Sequence, residues 1–172
     1  MIKKRAQLFG MPYSVIFSIF LIVFFIIAAF IAIKTFWCPW CKTECTFSDQ
    51  SQEGLFKDDL QSAVNDVWNS AGADRPLKIN LPSKVEMICF LDYSEDIGKG
   101  EKSSLFSGLK NVGKGNVYLY PARYSCSGFK VFTINHINIT ETTETSNPLC
   151  IENGKEIGIK SEHGGLVIIY GK

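Results

Sequence analysis

Apolar and polar positions divide the chain into three regimes. From Met11 to Ile33 the side chains are apolar almost without a break, reading MPYSVIFSIFLIVFFIIAAFIAI. A helix of that length rises about 35 Å, and backbone groups in lipid need internal partners, so the run predicts a transmembrane helix over 11–33. From residue 50 the pattern turns amphipathic. Phe56, Leu60, Ala63, Val64, Val67 and Ala71 recur at three- and four-residue steps, with Lys57, Asp58, Gln61, Asn65, Asp66 and Asn69 between them. This spacing predicts an amphipathic helix over 50–71, capped by Asp49 with Gln52 and stopped by Gly72, with Trp68 at the edge of its core face.

Beyond Gly72 the period changes from 3.6 to 2. Leu77, Ile79 and Leu81 alternate with Lys78 and Asn80, and Pro82 ends the run. Strands are predicted over 77–81, 85–93, 116–124 and 166–170, and one strand or two over 129–139. The segment 94–115, rich in Gly, Ser and Lys, reads as a surface loop with one helical turn near 104–109. The polar run TETTETSNP, 140–148, reads as a break. Asn153-Gly154, between CIE and KEIGI, is a hairpin signal. The fold class that follows is α+β: an N-terminal transmembrane helix, an amphipathic helix, then a mainly antiparallel β-sheet domain. The domain limits are 1–10 for a basic flank, 11–33 for the span, 34–49 for a Cys- and Trp-rich neck, and 50–172 for the α+β domain.

Charge orients the expected span. Lys3, Lys4 and Arg5 precede it, so the N-terminus is expected in the cytoplasm and the α+β domain outside it, with the lipid bilayer as a partner. The aromatic ring systems of Phe36, Trp37 and Trp40 suit a membrane–water interface. Ser14 and Ser18, and Ala28 and Ala32, stand four apart, a spacing at which two helices can approach closely, and self-association through this face is a further expectation. Another membrane or surface protein is an alternative partner. The chain carries 18 basic and 17 acidic residues; with the flank set aside the remainder is slightly acidic, and nothing in it suggests the basic patch that nucleic acid requires, so no nucleic-acid partner is expected.

Six cysteines follow the apolar run: Cys38, Cys41 and Cys45 in the neck, and Cys89, Cys126 and Cys150 in the sheet region. An even count outside the cytoplasm predicts disulfides, and the three-plus-three split invites bridges from neck to body. Fifteen pairings are open. Cys38, Cys41 and Cys45 have metal-like spacing but no fourth ligand nearby, and His136 and His163 are far along the chain, so no metal and no cofactor is expected. Asp92, Glu95 and Asp96 are a calcium candidate against a solvated acidic turn. Asn138-Ile139-Thr140 is a glycosylation sequon with Asn138 as acceptor. His163, beside Gly164-Gly165, reads as a turn residue.

Two resemblances bear on function. Lys3-Lys4-Arg5-Ala6-Gln7 ahead of a long apolar helix resembles the start of archaeal type IV pilin-like proteins. In that family a basic leader is cut after a small residue and before a Gln, which implies cleavage between Ala6 and Gln7. Met11 stands where the family usually has a Glu. Trp37-Cys38-Pro39-Trp40-Cys41 resembles the Cys-Pro-aromatic-Cys motif of glutaredoxin-like proteins, which implies Cys38 as nucleophile and Cys41 as resolving thiol. The expectation adopted is a single-pass, membrane-anchored structural or interaction protein, pilin-like and stabilised by disulfides, and not an enzyme. The alternative is a membrane-tethered thiol–disulfide oxidoreductase.

Overall fold

The computed structural model describes residues 13–36, 45–70, 72–161 and 165–172. Two compact units result, Met1–Glu44 and Cys45–Lys172.

The first unit holds α1, Tyr13–Phe36, a helix with no polar face. Its described side chains, Val15 and 17–29, are exposed. The anchor expected over 11–33 is corrected by the helix itself. Among the described residues no helix is long and apolar enough to cross a membrane. The predicted orientation, with a cytoplasmic N-terminus and an extracytoplasmic domain in a cell membrane, rested on that span and falls with it. The flank 1–10, with Ala6 and Gln7, lies outside the described residues.

The second unit is α+β with antiparallel sheets. It opens with α2, Phe47–Trp68, three residues ahead of the predicted start. Thr46, not Asp49, is the N-cap: its side chain accepts from Asp49 N–H, and Asp49 answers by accepting from Thr46 N–H, a reciprocal box. The buried stripe of α2 is the predicted one, Phe56, Leu60, Ala63, Val64 and Val67, extended one turn back by Glu53. Trp68 is not core. It is 40% exposed and stacks on His136, ring centroids 3.8 Å apart.

Among the described residues seven strands form two sheets. β1 (Asp74–Lys78), β6 (Glu156–Ser161) and β7 (Val167–Gly171) make one, in the order β1-β6-β7. β2 (Met87–Phe90), β3 (Val117–Tyr120), β4 (Val131–Phe132) and β5 (Leu149–Glu152) make the other, in the order β4-β3-β2-β5. Every ladder is antiparallel. Short helices α3 (Phe106–Lys110), preceded by a 3-10 turn at Ser103–Leu105, and α4 (Ile139–Thr142) lie in the connections. Asn153-Gly154 turns the chain, with Gly154 at φ 88°, but makes no hairpin, because β5 pairs with β2 and β6 with β1 and β7.

The main core packs the α2 stripe against residues from both sheets, among them Ile88, Phe90, Leu119, Ile151, Ile157, Ile159 and Ile169. A second cluster sits on the other face of the four-stranded sheet, where Cys89 and Tyr118 meet Leu91, Phe106 and Leu109. Burial on both faces explains why β2 reads as a continuous apolar run rather than an alternation. At Gly158 a Cβ would overlap the ring of Tyr170, its cross-strand partner, so glycine there admits a covering aromatic ring. Tyr170 Oη donates to Asp74 at 2.8 Å across the same sheet.

Candidate functional site

The cysteines form two disulfide-distance pairs within the second unit, and among the described residues none is free. Cys45, just ahead of α2, pairs with Cys126 in the β3–β4 connection, a bridge from neck to body with Cα atoms 5.2 Å apart. Cys89 and Cys150 are register partners on β2 and β5, so the sheet itself brings them together. Cys38, Cys41, Trp37, Trp40 and His163 lie outside the described residues.

Beside the first pair sits a charge the sequence reading missed. Glu53 is 1% exposed on the apolar stripe of α2. Its Oε2 accepts from the backbone N–H of Cys126 at 2.9 Å, and its Oε1 has no partner, nor does the buried Oγ of Ser125. Burial pushes the Glu53 carboxyl up; the Cys126 N–H draws it back, and the charge of Asp49 pushes it further up. The folded state therefore holds this proton more tightly than the unfolded chain. The stability it contributes is fully present below the ordinary value of 4.5 and is lost as pH rises through the folded-state value. Glu53→Gln keeps an acceptor for the Cys126 N–H and removes the ionisation. The expected result is a flatter melting temperature between pH ~4.5 and neutrality than in the parent. A variant whose melting temperature declines in parallel with the parent's refutes the role.

The second polar cluster gathers the loop 92–99 and the segment 138–147. Asp92 is buried, as are Thr142, Thr143 and Asn147. Burial pushes the Asp92 carboxyl up, but hydrogen bonds donated by the Ser94 side chain and backbone and by Thr140 outweigh it, and Lys99 adds its charge. The carboxyl is thereby held below the usual range. Asn147 is fully buried: its Oδ1 accepts from Asp92 N–H at 3.1 Å, and its Nδ2 donates to Asp92 O and to Glu95 Oε2. Glu95 Oε1 accepts from Lys99 Nζ at 2.9 Å. Hydrogen bonds from Asn147 and Lys99 hold the Glu95 carboxyl below its ordinary value.

The calcium candidates are thus spoken for separately: Asp92 by Ser94 and Thr140, Glu95 by Lys99 and Asn147, while Asp96 stands in solvent 3.8 Å from Lys110. Among the described residues no group of three or more His, Cys, Asp and Glu side chains is placed to hold a metal ion. The sequon residues are likewise engaged. Asn138 caps α4, accepting from Glu141 N–H and donating to Glu141 Oε2 at 2.8 Å, and Thr140 Oγ1 donates to Asp92.

A third feature is an open groove of about 620 Å³ beside the first turn of α2, lined by polar side chains including Asp49, Gln52, Lys78, Asn80 and Asn153. Gln52 Nε2 donates to Asn80 Oδ1 across it at 3.3 Å. Asn153 anchors its floor through four hydrogen bonds to the 81–85 turn. No family model matches this chain, and neither a curated protein nor a solved structure matches it.

Proposed function

We propose that the chain is a structural protein, a pilin-like subunit that self-assembles through α1 and displays the disulfide-stapled unit Cys45–Lys172. The observation that carries this is the surface of α1. Phe17, Phe20, Phe24 and Phe25 are all more than half exposed on a helix that lacks a polar side. A helix apolar all round requires cover. Other copies of α1 supply it, and the four-residue spacing of Ser14 with Ser18 and of Ala28 with Ala32 gives a face along which two such helices approach closely. The staple serves shape: Cys45–Cys126 ties the head of α2 to the β3–β4 connection, and Cys89–Cys150 ties two neighbouring strands.

Sedimentation of the full chain in a mild detergent tests the reading. A discrete, concentration-dependent oligomer is expected. Ala28→Leu is expected to weaken it at least tenfold, about 1.4 kcal/mol, with the melting of the Cys45–Lys172 unit unchanged. A chain that remains monomeric at every concentration, with α1 covered by detergent alone, overturns the proposal.

A further inference from the structure

We propose that Lys99 and Asn147 become joined by an intrachain isopeptide bond, with Glu95 as the proton carrier between them. The two residues are held face to face by their own backbones. Lys99 N–H donates to Asn147 O and Asn147 N–H donates to Lys99 O, both at 2.9 Å, an isolated antiparallel bridge. Directly opposed residues in such a bridge project to the same side. One carboxylate then touches both side chains: Glu95 Oε1 takes the Lys99 Nζ proton donor at 2.9 Å, and Glu95 Oε2 takes the Asn147 Nδ2 donor at 3.1 Å. The amide oxygen, Asn147 Oδ1, faces the backbone N–H of Asp92 at 3.1 Å. A nucleophile, a proton carrier, an amide and a donor for its oxygen are therefore assembled around one fully buried asparagine.

The atoms balance without any co-reactant. Glu95 takes one proton from the Lys99 ammonium, and the freed amine pair attacks Asn147 Cγ. The carbonyl electrons move onto Oδ1, where the Asp92 N–H stabilises them. As they return, the Cγ–Nδ2 bond breaks. Nδ2 takes the proton held by Glu95 and one from the attacking nitrogen, and leaves as ammonium. A primary amide and an ammonium become a secondary amide and an ammonium, and Glu95 ends as it began.

The groups facing Lys99 set the rate. Glu95 accepts from its Nζ, while Lys110, which donates to Glu95 O, and the exposed Asp96 lie around the same loop. Lys99 Nζ and Glu95 rest as an ion pair, and attack waits on passage of one proton from the ammonium to the carboxylate.

Peptide mapping of the full chain decides the matter. Loss of ammonia is not sufficient evidence, because Asn153-Gly154 can lose it by closing a succinimide ring. Asn147 cannot do so on its own backbone, since Pro148 offers no N–H to attack. The expected readout is a branched peptide joining Lys99 to Asn147, together with loss of tryptic cleavage after Lys99. Lys99→Arg and Glu95→Gln are expected to abolish both signals. A parent chain that, after incubation of the folded protein at mildly alkaline pH, yields only linear peptides and normal cleavage overturns the bond. A Glu95→Gln variant that crosslinks as fast as the parent overturns the assignment of Glu95.

Discussion

Replacing both members of the Cys89–Cys150 pair with alanine is expected to cost about 4 kcal/mol of unfolding free energy, from the chain-entropy relation for a loop of this size. The bond closes a sequence separation of 61 residues. The loss corresponds to a fall of roughly 10–20 °C in melting temperature for a domain of this size. Part of the effect is local as well. Cys89 is fully buried against Tyr118, Phe106 and Leu109, so its removal leaves the second cluster underfilled. The Cys45–Cys126 pair spans 81 residues, and the same relation assigns it a similar loss. The two variants are expected to differ in where the structure loosens. Without Cys45–Cys126 the first turn of α2 and the β3–β4 connection should exchange their amide protons faster, because Glu53 then holds Cys126 through a single hydrogen bond. Without Cys89–Cys150 the change should fall on β2 and β5. Hydrogen exchange of the oxidised parent and of each double variant measures this. A melting temperature within 2–3 °C of the parent for either variant, well inside the predicted fall, would remove the staple from the account of stability.

What the sequence made legible was local and periodic. The stripe Phe56, Leu60, Ala63, Val64, Val67 foretold α2 and the face it buries, because a helix repeats its contacts every three to four residues. The same logic misplaced the cap. Asp49 with Gln52 and Thr46 with Asp49 are both acceptable boxes, and the second has its two hydrogen bonds in place. Glu53 went unnoticed because a charge on an apolar stripe breaks the pattern; its position three residues before Phe56 was the available signal.

Non-local pairing was illegible for a physical reason. Turn chemistry at Asn153-Gly154 depends on two residues, but whether the flanking strands pair depends on which sheet each joins. Here β2 claims β5, while β1 and β7 claim β6. The strand expected over 129–139 shrinks to Val131–Phe132. Beyond it the side chain of Asn116 takes over the ladder's role, accepting from Ile134 N–H and donating to Ile134 O, both at 2.8 Å. The polar run 140–148, read as a break, holds the short helix α4 and buries Thr142, Thr143 and Asn147, because their side chains find partners in Ile169, Ile139 and Asp92. The Lys99–Glu95–Asn147 cluster therefore joins a stretch that composition read as a surface loop to one it read as a break.

Asn153 is where one side chain does most to hold two distant segments together, and Asn153→Ala is expected to lose roughly 3 kcal/mol. Its Oδ1 accepts from Leu81 N–H at 3.0 Å, and its Nδ2 donates to the carbonyls of Leu81, Pro82 and Val85 at 3.0, 3.3 and 3.0 Å. The turn it binds carries Leu81 and Val85 into the main core, so these groups are partly shielded from water and alanine leaves them unsatisfied. Aspartate is the sharper probe. Asn153→Asp retains the acceptor for Leu81 N–H, but it loses the donors and sets a negative charge against three carbonyl oxygens. At neutral pH it is expected to be at least as damaging as alanine. Protonation restores one donor, so the aspartate is expected to titrate above its ordinary value in the folded state. Its stability is then greatest at acid pH and lost as pH rises through that folded-state value, while the alanine variant lacks this dependence. Urea unfolding of the parent and both variants across mildly acidic to neutral pH measures the difference. If the aspartate variant matches the parent at neutral pH, the three carbonyl bonds carry no weight and Asn153 is an ordinary turn residue.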